Sequence, residues 1–162
     1  MTPSGVQSFV AALVCVSVHS LSAAGVVATR AEPPYPPARL QAMVDRLAGE
    51  LTLSATVRVA LVPKNPLLVS VEQVIDDGGA PVFLMAFEEG FLDELSEDEV
   101  VAIVAHELGH VWIFLHHPYL QTERQANRIA MRVVSRESLE RVYEKVWARD
   151  GAKGDLTRFL GQ

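Results

Sequence analysis

Residues 106–110 read His-Glu-Leu-Gly-His, and the spacing of the two histidines suits a metal ion. Residues four apart on an α-helix are offset by about 40° and about 6 Å of rise. Both imidazoles then project from one face and can share one tetrahedral ion. Glu107 is turned about 100° from His106, which places its carboxylate beside such an ion rather than on it. There it can take a proton from water that the ion activates and pass it to a leaving amine. A single buried histidine is more often a satisfied core residue than a ligand. Two on one apolar helix differ, because buried imidazoles cost free energy unless partnered and one cation can partner both.

A catalytic zinc takes three protein ligands and keeps one position open, and two residues compete for the third place. Glu123 lies beyond the chain reversal at Pro118, about as far along the returning segment as His110 lies before it. At about 1.5 Å per helical residue, its carboxylate reaches the level of the histidines. His116 stands six residues after His110, a third-ligand spacing that requires a turn-forming glycine where this chain has Ile113. On a helix that continues, His116 is rotated about 240° from His110 and faces elsewhere. The geometry favours Glu123 and leaves His116 and His117 as helix C-terminal residues that suit the dipole.

The elements that must hold these residues are legible in outline. Leu40, Met43, Val44 and Leu47 recur at helical spacing between Pro37 and Leu51, an amphipathic helix. Ala55–Val62, Leu67–Val74 and Pro81–Phe87 are short, β-branched or apolar runs that read as three strands, with Asp76-Asp-Gly-Gly79 as a turn. Glu88 to Leu95 is a connector. Ser96-Glu-Asp-Glu99 is a capping box that opens a long helix, apolar on nearly every side and therefore buried, which Pro118 ends. A second helical stretch is expected from about Leu120 to Trp147, antiparallel to the first. The tail, Asp150 to Gln162, suggests no chemistry.

Bulk properties set the frame. The 162 residues are 49% hydrophobic and 21% charged, enough for one packed domain. A net charge of −6 and the absence of any Lys/Arg run argue against nucleic acid as a partner. The single cysteine, Cys15, excludes a Cys-rich zinc site, so any metal must bind through histidine and carboxylate. Residues 1–24, with an apolar centre from Phe9 to Val18 and the small residues Ser22-Ala-Ala24 at the end, resemble a secretory signal peptide. They lack the usual Lys or Arg before the apolar centre. Export to a periplasm or secretion is the expectation; the alternative is membrane anchoring by residues 9–28. Residues 25–37, with four prolines between Glu32 and Pro37, read as a linker, and 38–162 as the catalytic domain.

The segment Ser96-Glu-Asp-Glu-Val-Val-Ala-Ile-Val-Ala-His-Glu-Leu-Gly-His110, followed by Glu123-Arg-Gln-Ala-Asn-Arg-Ile-Ala130, resembles the gluzincin metallopeptidases of the HtpX and CaaX-prenyl-protease type. The resemblance covers roughly residues 81 to 134. It implies a zincin-like α+β domain in which His106, His110 and Glu123 hold one Zn2+ per chain and Glu107 is the general base. It also implies that Val82 to Phe87 is the strand that borders the cleft and pairs with an extended protein or peptide substrate. The family's Asp four residues after the ligand Glu is Asn127 here. An Asn carbonyl still accepts from an imidazole N–H, but without the charge, which points to weaker metal binding or activity.

The expectation is a small soluble zinc endopeptidase, with Tyr119, Tyr143 and His117 as candidates to steady the oxyanion. The alternative is a catalytically weak or inactive zincin-fold scaffold that binds a partner protein. Asn127 favours the scaffold, and the intact Glu107 counts against it.

Overall fold

The computed structural model describes residues 33–74, 82–151 and 154–162. The expected leader, most of the linker and the Asp76–Gly79 turn lie outside the described residues. The first helix, α1 (Pro37–Glu50), has proline in its first turn, where the missing N–H costs nothing. It buries the predicted stripe Leu40, Met43, Val44 and Leu47.

Strands β1 (Thr56–Val62), β2 (Val69–Val74) and β3 (Val82–Glu88) form one mixed sheet in the order β1-β3-β2. β1 runs parallel to β3 and β2 antiparallel to it. This order corrects one expectation. β3 is paired on both sides from Val82 to Phe87, so it has no free edge to offer a substrate. It holds the centre because it is the most apolar of the three runs, with Val82, Phe83, Met85 and Phe87 all buried. Among the described residues, the free edge on the side of the cleft belongs to β2. The Leu68 carbonyl accepts from the Glu88 N–H, and antiparallel alternation then turns the backbone groups of Val69, Val71 and Gln73 away from β3.

A one-turn helix, α2 (Glu89–Leu92), buries Phe91 and Leu92 and leads into α3 (Glu97–His116), where the predicted capping box is formed in both directions. Ser96 N–H donates to Glu99 Oε2 at 2.7 Å. Leu108, Val104 and Val100 are fully buried in α3. Among the described residues α3 is the one helix long and apolar enough to cross a membrane; here it is the core helix, in contact with α1 and β2. A 3-10 turn at Pro118–Leu120 reverses the chain into α4 (Glu123–Ala130), followed by α5 (Arg136–Asp150) and α6 (Leu156–Leu160).

The single helical stretch expected from Leu120 to Trp147 is thus two helices. Arg132, Val133 and Val134 make tight turns onto Ile129 and Ala130, and the Ser135 hydroxyl accepts from Ser138 N–H to start α5. Two β-branched residues followed by a serine that caps the next helix favour a break. Packing of Met131, Val133 and Val134 on the core repays it.

Two contacts fix α3. At Gly109 the backbone of α4 comes so close that a Cβ would overlap the Ala126 carbonyl oxygen and lie 3.0 Å from Ala126 Cα. At the other end Glu99, 3% exposed, accepts from Lys145 Nζ of α5 at 2.7 Å. Burial pushes its carboxyl up, but the hydrogen bonds from Lys145 and Ser96 outweigh this and hold it below the usual range.

Two outcomes follow. Gly109→Ala forces the helices apart and should cost about 1–3 kcal/mol, with metal binding lost along with stability. Glu99→Gln should cost about 1–2 kcal/mol near neutral pH. Because the native carboxyl is depressed, its contribution is complete above the ordinary carboxylate value and is lost as pH falls through the native one. Melting temperatures of the wild type and Glu99→Gln should therefore converge in acid.

Candidate metal centre

The approach at Gly109 sets two pairs of residues face to face, each pair spaced by four. His106 and His110 project from α3 on one face. Glu123, the first residue of α4, and Asn127 project from α4 toward them. His106 Nε2 lies 3.3 Å from His110 Nε2. Glu123 offers Oε2 to His106 Nε2 at 3.2 Å and Oε1 to His110 Nε2 at 3.4 Å. Bonds of about 2.0–2.2 Å at tetrahedral angles separate ligand atoms by about 3.3–3.6 Å, so the three side chains have the spacing that a zinc ion needs.

Protons give a second test. His106 Nδ1 lies 2.8 Å from Asn127 Oδ1, and His110 Nδ1 lies 3.2 Å from Gln121 Oε1. Both amides are oriented by backbone carbonyls, which can only accept. Asn127 Nδ2 donates to Phe159 O at 3.1 Å, and Gln121 Nε2 donates to His110 O at 3.2 Å. Each amide oxygen therefore faces an imidazole that must donate from Nδ1. That leaves the two Nε2 lone pairs pointing at each other and at a carboxylate. Three acceptors converge, and only a cation, either protons or a metal ion, reconciles them. The residues fit a zinc ion and could hold one.

Electrostatics agree. The two imidazoles hold the Glu123 carboxyl far below the usual range, and its place in the first turn of α4 adds the favourable end of the helix dipole. Burial pulls His110 down, yet its bonds to Glu123 and Gln121 raise it overall. Glu107 is buried beside this group, and desolvation pushes its carboxyl up, against the pull of His106 and His110. A carboxyl raised by burial is a stronger base than a solvated one, which suits a group that must accept and return a proton.

The cleft over the site holds about 420 Å³ and is lined by His106, Glu107, His110 and Glu123, by β2 from Val69 to Val71 and at Gln73, and by α5 at Leu139, Val142, Tyr143 and Val146. His116 is not among these groups: its Nδ1 bonds the Trp112 carbonyl at 2.8 Å and its ring stacks on Trp112 at 4.0 Å. Tyr119 is 97% exposed and, like His117, does not line the cleft. Tyr143 does. Its hydroxyl accepts from Asn127 Nδ2 at 2.7 Å and donates to Glu123 Oε2 at 3.4 Å, and burial raises its phenol well above the usual value.

Sequence reasoning missed Gln121 and the tail. Nothing in the sequence marks Gln121 as the partner of a histidine eleven residues away. Phe159 acts through its backbone carbonyl, which no side-chain pattern reports. Gly109 did carry a signal, since a glycine inside an apolar helix costs about 1 kcal/mol against alanine and usually has a packing reason.

Neither a curated protein nor a solved structure matches the chain. The profile of Peptidase family M48 matches residues 35–154, a span that contains the sheet, the histidine helix and the helices carrying Glu123, Asn127 and Tyr143. With most of the described domain inside that match, the chain belongs to peptidase family M48, a family of zinc-dependent metallopeptidases.

Proposed function

We propose that this protein is a zinc endopeptidase in which His106, His110 and Glu123 hold the ion and Glu107 is the general base. The observation that carries this reading is the convergence of two imidazole Nε2 atoms, in rings whose Nδ1 protons are committed to Asn127 and Gln121, and one carboxylate, three acceptors at the spacing of metal ligands. When bound, zinc polarises the carbonyl of the bond to be cleaved and lowers the pKa of a water molecule toward neutrality.

The rest is done by the chain. Glu107 takes one proton from that water as the water oxygen adds to the carbonyl carbon to form the C–O bond. It then delivers this proton to the amide nitrogen, so that the C–N bond breaks and the departing group leaves as a neutral amine, while the water's second proton stays with the new carboxyl group. The buried position of Glu107 keeps the carboxylate poorly solvated and so a better base. The free edge of β2 holds the substrate in extended form through the outward N–H and C=O groups of Val71 and Gln73, an added strand in the antiparallel or parallel sense. The apolar walls supplied by β2 and α5 favour uncharged side chains next to the cleaved bond. An exported location, with residues 1–24 as a leader, belongs to the same proposal.

Glu107→Gln keeps the shape of the side chain and removes the base. An enzyme loses hydrolysis of a general protein substrate by at least about 10²-fold while keeping its metal; a scaffold that only binds a partner keeps its whole function. Gln73 is exposed on β2, and proline there removes one outward N–H without touching the bonds to β3. Gln73→Pro should raise KM for a peptide substrate with kcat little changed. An unchanged KM would remove β2 from the substrate site.

A further inference from the structure

Asn127 stands where the resembling family carries Asp, and the difference is electrostatic polarity. A carboxylate offers acceptors only, whereas an amide offers one acceptor and two donors. Asn127 is fully buried and uses all three. Its oxygen takes the His106 Nδ1 proton, and its nitrogen donates to the Phe159 carbonyl and to the Tyr143 hydroxyl. The Phe159 carbonyl can only accept, so it fixes which end of the amide faces which neighbour. Tyr143 receives a hydrogen bond from the amide, and its own proton must go elsewhere. It points toward Glu123 Oε2 across a long 3.4 Å contact, on the wall of the cleft. The ring is held by Trp147 and Phe159 at centroid distances of 5.4 and 5.3 Å.

We infer that Asn127 is a positioning residue that turns the Tyr143 hydroxyl into a hydrogen-bond donor to the carbonyl oxygen of the bond being cleaved. This rests on the peptidase reading and adds to it the group that steadies the developing charge. Asp at 127 reverses the polarity: Tyr143 then donates to the carboxylate and turns its proton away from the cleft, and the Phe159 carbonyl faces a negative charge. Asn127 is therefore a substitution matched to Tyr143 and to α6, which supplies the carbonyl that locks the amide.

The test compares zinc-loaded wild type, Asn127→Asp, Tyr143→Phe and the double variant. Three quantities are read: zinc affinity by chelator competition, affinity for a phosphinic peptide that mimics the tetrahedral intermediate, and kcat on a peptide substrate. Each single change should weaken the phosphinic peptide at least tenfold and lower kcat by about 10²-fold. The double variant should be no worse than either single one. Zinc affinity should be kept or tightened in Asn127→Asp, because a carboxylate is the stronger partner for a ligand histidine. Tyr143→Phe keeps the packing and covers the case in which Asn127→Asp unfolds.

An Asn127→Asp protein as active as wild type, or more so, overturns the inference, as do losses that multiply in the double variant or a loss of zinc. All of these leave the peptidase reading standing. Wild-type protein that holds zinc yet neither binds the phosphinic peptide nor cleaves a substrate overturns that reading and the inference with it.

Discussion

The backbone contact between α3 and α4 at Gly109 and Ala126 governs everything at the site. Helices with ordinary side chains at their contact keep their axes about 8–10 Å apart; a glycine lets a neighbouring backbone approach more closely. Here that approach brings Glu123 and Asn127 within hydrogen-bond reach of His106 and lets one carboxylate span both imidazoles. A helix displaced by one methyl group would leave the histidines in place and their third partner out of reach.

Around that contact the structure spends its buried polar groups on proton bookkeeping. Two amides, Asn127 and Gln121, each locked by a backbone carbonyl, fix the tautomers of two histidines so that both Nε2 atoms are free. The same logic runs outward: Phe159 orients Asn127, and Asn127 orients Tyr143. Residues far apart in the chain, from His106 to Phe159, are thereby one hydrogen-bonded unit, which ties α6 to the centre of the domain. At the opposite end of α3, Glu99 and Lys145 tie the same helix to α5, so the helix with the two histidines is anchored at both ends.

Much of this was legible in the sequence because it depends on local spacing. The histidine pair, the capping box at Ser96, the three strands and the Leu40–Leu47 stripe follow from helix and strand periods that act over a few residues. Glu123 could be placed by counting rises on either side of Pro118. What escaped depends on tertiary partners. Strand order is not encoded in the strand sequences alone, and β3, the most apolar run, became central with a partner strand on each side. The break at Met131–Ser135 contains no proline or glycine to announce it. The tail suggested no chemistry because its contribution is a carbonyl of the main chain.

The central claim is that two histidines with free Nε2 atoms and Glu123 hold one metal ion. The most direct measurement is zinc-edge X-ray absorption, with elemental analysis, on purified wild type, Glu123→Ala and His116→Ala. The account predicts one zinc per chain with two imidazole nitrogens at about 2.0–2.1 Å and oxygen ligands at about 2.0–2.2 Å, weakened by Glu123→Ala and untouched by His116→Ala. Protein purified without chelators that contains no stoichiometric metal, or zinc that survives loss of Glu123 and departs with His116, would contradict it.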